Sequence, residues 1–322
     1  MKKLLYTFIL MGVFSFNASA FAAGDIGITV KDKPLKSDRY PILVQGRVLV
    51  PLRAVSESLG ASVSWNPHTK TVTVSKWSES MSLTPGSKKA RIEGGLRGAV
   101  TIPLDVPVRT VNNRVYVPLR LISEQYGYRV DWSNNTVSIQ SPLTPSGRAK
   151  LYKGDLSTSR SIAMDTALYN GAHYEHRPLA TSHEQEDYST AFLFPEGEAL
   201  RFFMITGSET ITLFEYKDDF LVATWQAHVQ KIGQDPVQQL FENKLKDRTG
   251  PTPTIKKPFM YYNSGYFGDT SYEEYGRYDK DAKYTKTGSL RKMGRFVTES
   301  TGTFSLILPD EKRKEVITIP RD

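Results

Sequence analysis

The chain contains no cysteine. That absence excludes disulfide frameworks, cysteine-ligated zinc, iron–sulfur clusters, thiol nucleophiles and a lipid anchor on an N-terminal cysteine. Uninterrupted apolar runs of 18 residues are missing as well, so no segment reads as a membrane-spanning helix. Histidine is scarce, with five in 322 residues, which limits where a histidine-ligated metal could sit. No charge sign dominates: 42 Lys and Arg against 34 Asp and Glu leave +8, basic but not extreme. The hydrophobic fraction of 39% is enough for packed cores. Disorder throughout is excluded, and the length accommodates two domains of ordinary size.

The N-terminus carries Lys2 and Lys3, an apolar stretch from Leu4 to Phe16, and the small residues Ala18-Ser19-Ala20. This pattern reads as a secretory signal peptide over residues 1–23, with a mature chain beginning near Gly24. The apolar stretch of 13 residues falls short of the roughly 20 that span a bilayer as a helix. An uncleaved anchor is the alternative reading. The end of the chain, Val316 to Asp322, is charged and carries no sorting signal. The expectation is a secreted or extracellular protein, cell-wall associated, with no transmembrane segment after signal removal. Export without cysteine means that packing must supply the stability.

An internal repeat organises the first half. Arg47-Val-Leu-Val-Pro-Leu-Arg53 and Arg114-Val-Tyr-Val-Pro-Leu-Arg120 align at an offset of 67, and the match continues through Ser56, Glu57, Gly60, Val63 and Trp65 onto Ser123, Glu124, Gly127, Val130 and Trp132. Self-similarity of this extent marks a duplicated structural unit. In each copy a short strand runs into Pro51 or Pro118, which suits the first helical turn. Leu52, Val55 and Leu59, like Leu119, Ile122 and Tyr126, then line one helical face. Gly60 and Gly127 supply the left-handed residue that stops the helix. A hairpin follows in each copy, and another precedes the helix through Gln45-Gly46 or Asn112-Asn113. Each unit is therefore expected to be a β-β-α-β-β module, the two lying in tandem over about 25–76 and 77–141.

The pattern V-P-L-R-x-[VI]-S-E-x-x-G-x-x-V-x-W, duplicated after an export signal, resembles the copper amine oxidase N-terminal domain-like stalk module. The resemblance covers roughly Asp25 to Ile139. It implies a non-catalytic extracellular spacer beside an unrelated C-terminal domain, not copper or oxidase chemistry. The sequence agrees with that restriction: it has no Asn-Tyr dipeptide for a modified tyrosine and no His-x-His pair. No amine oxidase activity and no cofactor are expected. Arg53 with Glu57 and Arg120 with Glu124 are spaced as exposed helix ion pairs. Trp65 and Trp132 read as lids on the module core, with sugar stacking as the alternative.

Ser141 to Gly147 is rich in Pro, Ser and Gly and reads as the start of a linker, 142–154, before a C-terminal α+β domain over 155–322. Residues 24–141 hold 16 basic and 9 acidic side chains, +7, whereas 142–322 hold 24 and 25, −1. The basic excess favours an anionic neighbour such as an acidic wall polymer or phospholipid, although it also serves solubility alone. No nucleic-acid-binding motif accompanies it, and no nucleic-acid partner is expected.

In the second half, Ser161 to Asn170 reads as a helix. Segments 189–194, 200–205, 210–216 and 220–228 read as antiparallel strands, with a turn at Lys217-Asp218-Asp219. A helix follows Asp235-Pro236, with Val237, Leu240, Phe241 and Leu245 on one face, and ends at Gly250-Pro251. Residues 304–308 and 316–319 read as a final hairpin.

Two side-chain clusters there are candidate sites. His173, His176 and His183, with carboxylates nearby, could ligate a metal, although the H-E-x-x-H helix of a metalloprotease is absent. Tyr261, Tyr262, Tyr266, Tyr272, Tyr275 and Tyr278 could hold a sugar or peptide at a wet interface. There is no G-x-S-x-G elbow and no phosphate loop. The reading is a secreted, non-catalytic, envelope-associated binding protein of α+β class, whose partner is a cell-wall or surface polymer or another secreted protein. An extracellular hydrolase with an unfamiliar metal-assisted site is the alternative.

Overall fold

The computed structural model describes residues 26–320 except 97, 170, 181–187 and 257. The segment read as an export signal and His183 lie outside the described residues. The first half runs β1 (Gly27–Val30), β2 (Lys33–Pro34), β3 (Ile42–Val44), β4 (Arg47–Pro51), α1 (Leu52–Ser58), β5 (Ser62–Asn66), β6 (Thr71–Lys76), β7 (Glu79–Leu83), β8 (Lys89–Glu93) and β9 (Val100–Pro103). It continues through β10 (Arg109–Val111), β11 (Arg114–Pro118), α2 (Leu119–Gln125), β12 (Arg129–Ser133) and β13 (Thr136–Gln140).

Each copy thus contains β-β-α-β-β in order, but the copies do not stand side by side as separate blocks. Strand β4 pairs antiparallel with β11 in the register Pro51↔Tyr116, Val50↔Val117, Leu49↔Pro118. Adding the repeat offset of 67 to the first pair returns the third, so a pseudo-two-fold axis passes between Val50 and Val117. The strands leading each copy cross to the other: β1 runs parallel to β13, and β7 antiparallel to β6. Sheets of order β10-β11-β4-β3, β12-β13-β1-β2 and β5-β6-β7-β8-β9 result.

One apolar core lies within them, containing Leu52, Val55 and Leu59 together with Leu119, Ile122 and Tyr126. A β-β-α-β-β unit by itself leaves a strand edge and much of a seven-residue helix uncovered. Exchange of strands between copies covers both. Reciprocal ion pairs join the copies at the rim, Arg114 to Asp38 at 2.9 Å and Arg47 to Asp105 at 2.8 Å, and these four residues also obey the 67-residue offset.

The helices end as the sequence predicts. In the first copy Gly60, at φ +76°, donates its N–H to the Glu57 carbonyl while Ala61 donates to Ser56. Gly127 and Tyr128 repeat the arrangement on Glu124 and Ser123. Both ends are Schellman caps, which need a residue free to adopt positive φ. Pro51 and Pro118 sit one position earlier than expected, closing the strand as the residue before the helix.

The second half contains α3 (Pro145–Lys153), α4 (Leu156–Leu168), β14 (Ala172–Tyr174), β15 (Tyr188–Pro195), β16 (Arg201–Thr206), β17 (Thr210–Lys217), β18 (Phe220–Val229), α5 (Pro236–Phe241) and β19 (Leu245–Thr249). Strands β20 (Phe259–Phe267), β21 (Thr270–Tyr278), β22 (Tyr284–Met293) and β23 (Phe296–Gly302) follow. They form a ten-stranded sheet of order β14-β18-β17-β16-β15-β20-β21-β22-β23, with β19 also on β18. Only β14 on β18 is parallel among these pairings. Helix α4 and the chain after β23 pack on one face of the sheet, and α5 on the other. Mixed composition with few helices and large sheets is consistent with the α+β class.

Three expectations are corrected here. The stretch read as a linker is helical over Pro145–Lys153: Thr144 caps it by accepting from Gly147 N–H, and Pro145 occupies its first turn. The helix after Asp235 stops at Phe241, because Asn243 adopts φ +59° and Leu245 joins a strand instead. Residues 304–308 and 316–319 form no hairpin. Side chains rather than a ladder hold this tail: Glu311 accepts from Gly197 and Leu308 N–H, and Glu315 from Ala199 and Leu200 N–H.

Candidate functional site

The two halves meet at a built junction. Phe220, opening β18, and Val222 are buried in the core of the first half. Ser78 donates its backbone N–H to the Tyr174 carbonyl at 2.7 Å, and Lys31 forms an ion pair with Asp218. At the centre Lys76 donates to the Leu59 carbonyl at 2.6 Å and to the Tyr128 hydroxyl at 2.8 Å. Its ammonium lies 4.3 Å from the Trp77 ring, 4.8 Å from Tyr128 and 5.0 Å from Phe220. Such a cage attracts a cation, but burial pulls the amine down to about 8.

The histidines expected to share a metal have other partners. His173 stacks on Trp77 with ring centroids 3.9 Å apart, and its Nδ1 lies 2.9 Å from Glu79 Oε1. It belongs to β14, whereas His176 lies beyond that strand, exposed and against Gly250. The i, i+3 spacing brings two histidines together only on a helix. Among the described residues no three His, Asp or Glu are placed to hold a metal ion.

The tyrosines are likewise dispersed rather than gathered in a groove. Along β20 and β21 successive side chains point to opposite faces. Tyr261 packs edge-on to Tyr278 and Tyr284, beneath α5. Tyr262 packs on Tyr275 on the other face, and Tyr275 touches Phe304 of the tail. Burial holds the phenols of Tyr261, Tyr262, Tyr275 and Tyr278 above the usual range. These four residues are core. Tyr266 is exposed and Tyr272 half-buried, both near the far end of the strands.

A different surface, around the tryptophans expected to cover the module core, has the geometry of a site. Trp65 is 47% exposed and Trp132 52%. Beside Trp65 opens a cleft of about 640 Å³. Its apolar wall comprises Leu52 and Ala54 of α1 with Val63 and Val72 of the hairpin, and its rim carries Lys36, Asp38, Arg53, Glu57, Asn113 and Arg114. Strand alternation explains the tryptophan. Val63 and Trp65 share a face of β5, but the indole lies at the free end of the hairpin, past the edge of the core.

Asn112 and Asn113, both at positive φ, make the tight turn that carries Asn113 and Arg114 to the opposite rim. The Arg114 guanidinium holds the Asp38 carboxyl below the usual range. Arg53 and Glu57 lie 3.7 Å apart and both are exposed, as are Arg120 and Glu124 at 3.9 Å. Flat apolar surface beside paired donors and acceptors can bind; no nucleophile with a base is assembled there. A signal for the rim existed in the sequence, since Asp38 and Asp105 share the repeat offset with Arg47 and Arg114.

Comparison with known families places this surface in a recognised domain. Residues 29–141 match the copper amine oxidase N-terminal domain, a non-catalytic domain. The match spans both copies of the repeat and stops just before α3. A search of curated proteins finds no match to the chain. Among the described residues no helix is long and apolar enough to cross a membrane.

Proposed function

We propose that this is a secreted, non-catalytic binding protein of the cell envelope, in which the interleaved N-terminal domain engages a surface polymer and the ten-stranded domain is held rigidly beside it. The observation that carries the reading is the open cleft at Trp65, a half-exposed indole framed by charged side chains on a domain whose family is non-catalytic. The N-terminal export pattern and the +7 charge of residues 24–141 support an extracellular, anionic setting. The junction built around Lys76 and Phe220 makes a pliant stalk unnecessary: whatever the first domain grips, the second is carried at a fixed attitude.

Purified chain from Gly24 onward, incubated with insoluble Gram-positive wall material and sedimented, tests the reading. Retention in the pellet that declines with salt is expected. Recovery of the protein entirely in the supernatant at low salt contradicts it.

A further inference from the structure

The duplication supplies an internal control for the cleft. The frame is the same in both copies: Trp65 and Trp132, Arg53 with Glu57 and Arg120 with Glu124, Asp38 with Arg114 and Asp105 with Arg47. What differs is the lining. At the offset of 67, Ala54 corresponds to Leu121, Ser37 to Leu104 and Lys36 to Pro103, while Thr110 corresponds to Leu43. Leu104 is buried and Leu121 packs against the core. The leucines that pack into the second copy, Leu104 and Leu121, are thus a serine and an alanine in the first, where both line the cleft beside Trp65. Scaffolding alone calls for filled space, because an unfilled wall forfeits packing energy.

We infer that the first-copy cleft is a binding site for an anionic polysaccharide, with a sugar ring stacked on Trp65 and its charged groups facing Lys36, Arg53 and Arg114. The inference rests on the binding reading above and narrows it to one site and one ligand class. A pyranose presents a C–H face to an indole and a belt of hydroxyls to its surroundings. Arg53–Glu57, Arg114–Asp38 and Asn113 offer donors and acceptors for that belt. The charge preference follows from the pairing: both rim carboxylates already face arginines, and Lys36 has no acidic partner among the described residues. Exposed Lys33 lines the adjoining depression together with Lys36, extending the basic strip along the surface. A concave cleft continued by a cationic strip suits a chain better than a membrane plane.

Calorimetric titration of the full mature chain tests this with two anionic glycans, oligogalacturonate and phosphomannan, against a neutral malto-oligosaccharide and against polyphosphate. At least one anionic glycan should bind, and more tightly than either control. Trp65→Ala should weaken it about tenfold or more, as loss of a central aromatic anchor does, whereas Trp132→Ala should leave it within about twofold. Ala54→Leu copies the second repeat into the first and should abolish binding. It should keep its melting temperature within a few degrees, because Leu121 occupies the equivalent helix position.

If Ala54→Leu fails to fold, Ser37→Leu, which copies Leu104, provides the same test from the rim. Failure of both glycans to bind overturns the inference. So does equal loss in the Trp65 and Trp132 variants, or polyphosphate binding as tight as the glycans and indifferent to Trp65. Retention of the chain on wall material that survives Trp65→Ala and Ala54→Leu overturns the cleft but leaves the wider binding reading standing.

Discussion

Phe220 does more for the molecule than its place at the start of a strand indicates. Its ring lies 5.1 Å from Trp77, 4.9 Å from Tyr128 and 5.5 Å from His173, so one side chain of the second half completes an aromatic cluster of the first. Phe220→Ala should cost about 3 to 5 kcal/mol, read as a shift of the urea midpoint, and a loss below about 1 kcal/mol contradicts the shared core. Lys76 inside the cluster gives a pH signature. In the folded chain its pKa is lowered to about 8, against about 10.4 for an unfolded lysine. Between those values the unfolded chain binds more protons, so stability attributable to Lys76 rises with pH across roughly 8 to 10.4. Wild type should gain on Lys76→Met over that interval. A constant difference between the two would show that burial does not depress the amine.

At the scale of elements, the tail after β23 shows how side chains replace a ladder. Arg160 and Glu311 are both fully buried, joined at 2.6 and 2.9 Å, and the guanidinium also donates to the Glu198 and Leu306 carbonyls. Arg313 donates to the Leu151, Tyr152 and Gly154 carbonyls, satisfying the open end of α3. Hydrogen bonding with Arg160 and the Gly197 and Leu308 amides holds the Glu311 carboxyl below the usual range despite burial. Its contribution is therefore present above the unfolded carboxyl range, near pH 4.3, and is lost as pH falls through the lower folded value. Glu311→Ala should cost about 3 to 5 kcal/mol by stranding Arg160, whereas Arg160→Met with Glu311→Leu should cost clearly less, its residual loss coming from the Gly197 and Leu308 amides left without their acceptor. Similar costs for the single and double variants would contradict that account.

Much at this scale was legible beforehand. The Pro-Leu-Arg helix starts, the glycine stops, the Asp218-Asp219 turn and strands β15 to β18 follow from local chemistry that tertiary contacts reinforce. The tail was illegible because Glu311, Arg313 and Glu315 find partners more than a hundred residues away. The tyrosines misled for a related reason: residues adjacent along a strand face opposite layers, so a dense aromatic run builds two cores instead of one groove. The half-exposure of Trp65 was not legible, because alternation gives the face of a strand but not how far the core extends along it.

For the whole molecule, strand exchange between repeats and the junction at Lys76 join everything described into one structure. The chain should unfold in a single cooperative transition by far-UV and aromatic probes. Limited proteolysis should leave residues 142–154 intact, since they are helical over most of their length and packed on α4. Early cutting there, with two separately melting fragments, would restore the picture of a jointed stalk. On the proposed reading, the first domain grips a surface polymer while the rest is held fixed to it. The most direct measurement is co-sedimentation of the chain from Gly24 onward with wall material, wild type beside Trp65→Ala. The account predicts that wild type pellets at low salt and that Trp65→Ala stays largely in solution. Wild-type protein that never pellets would contradict it.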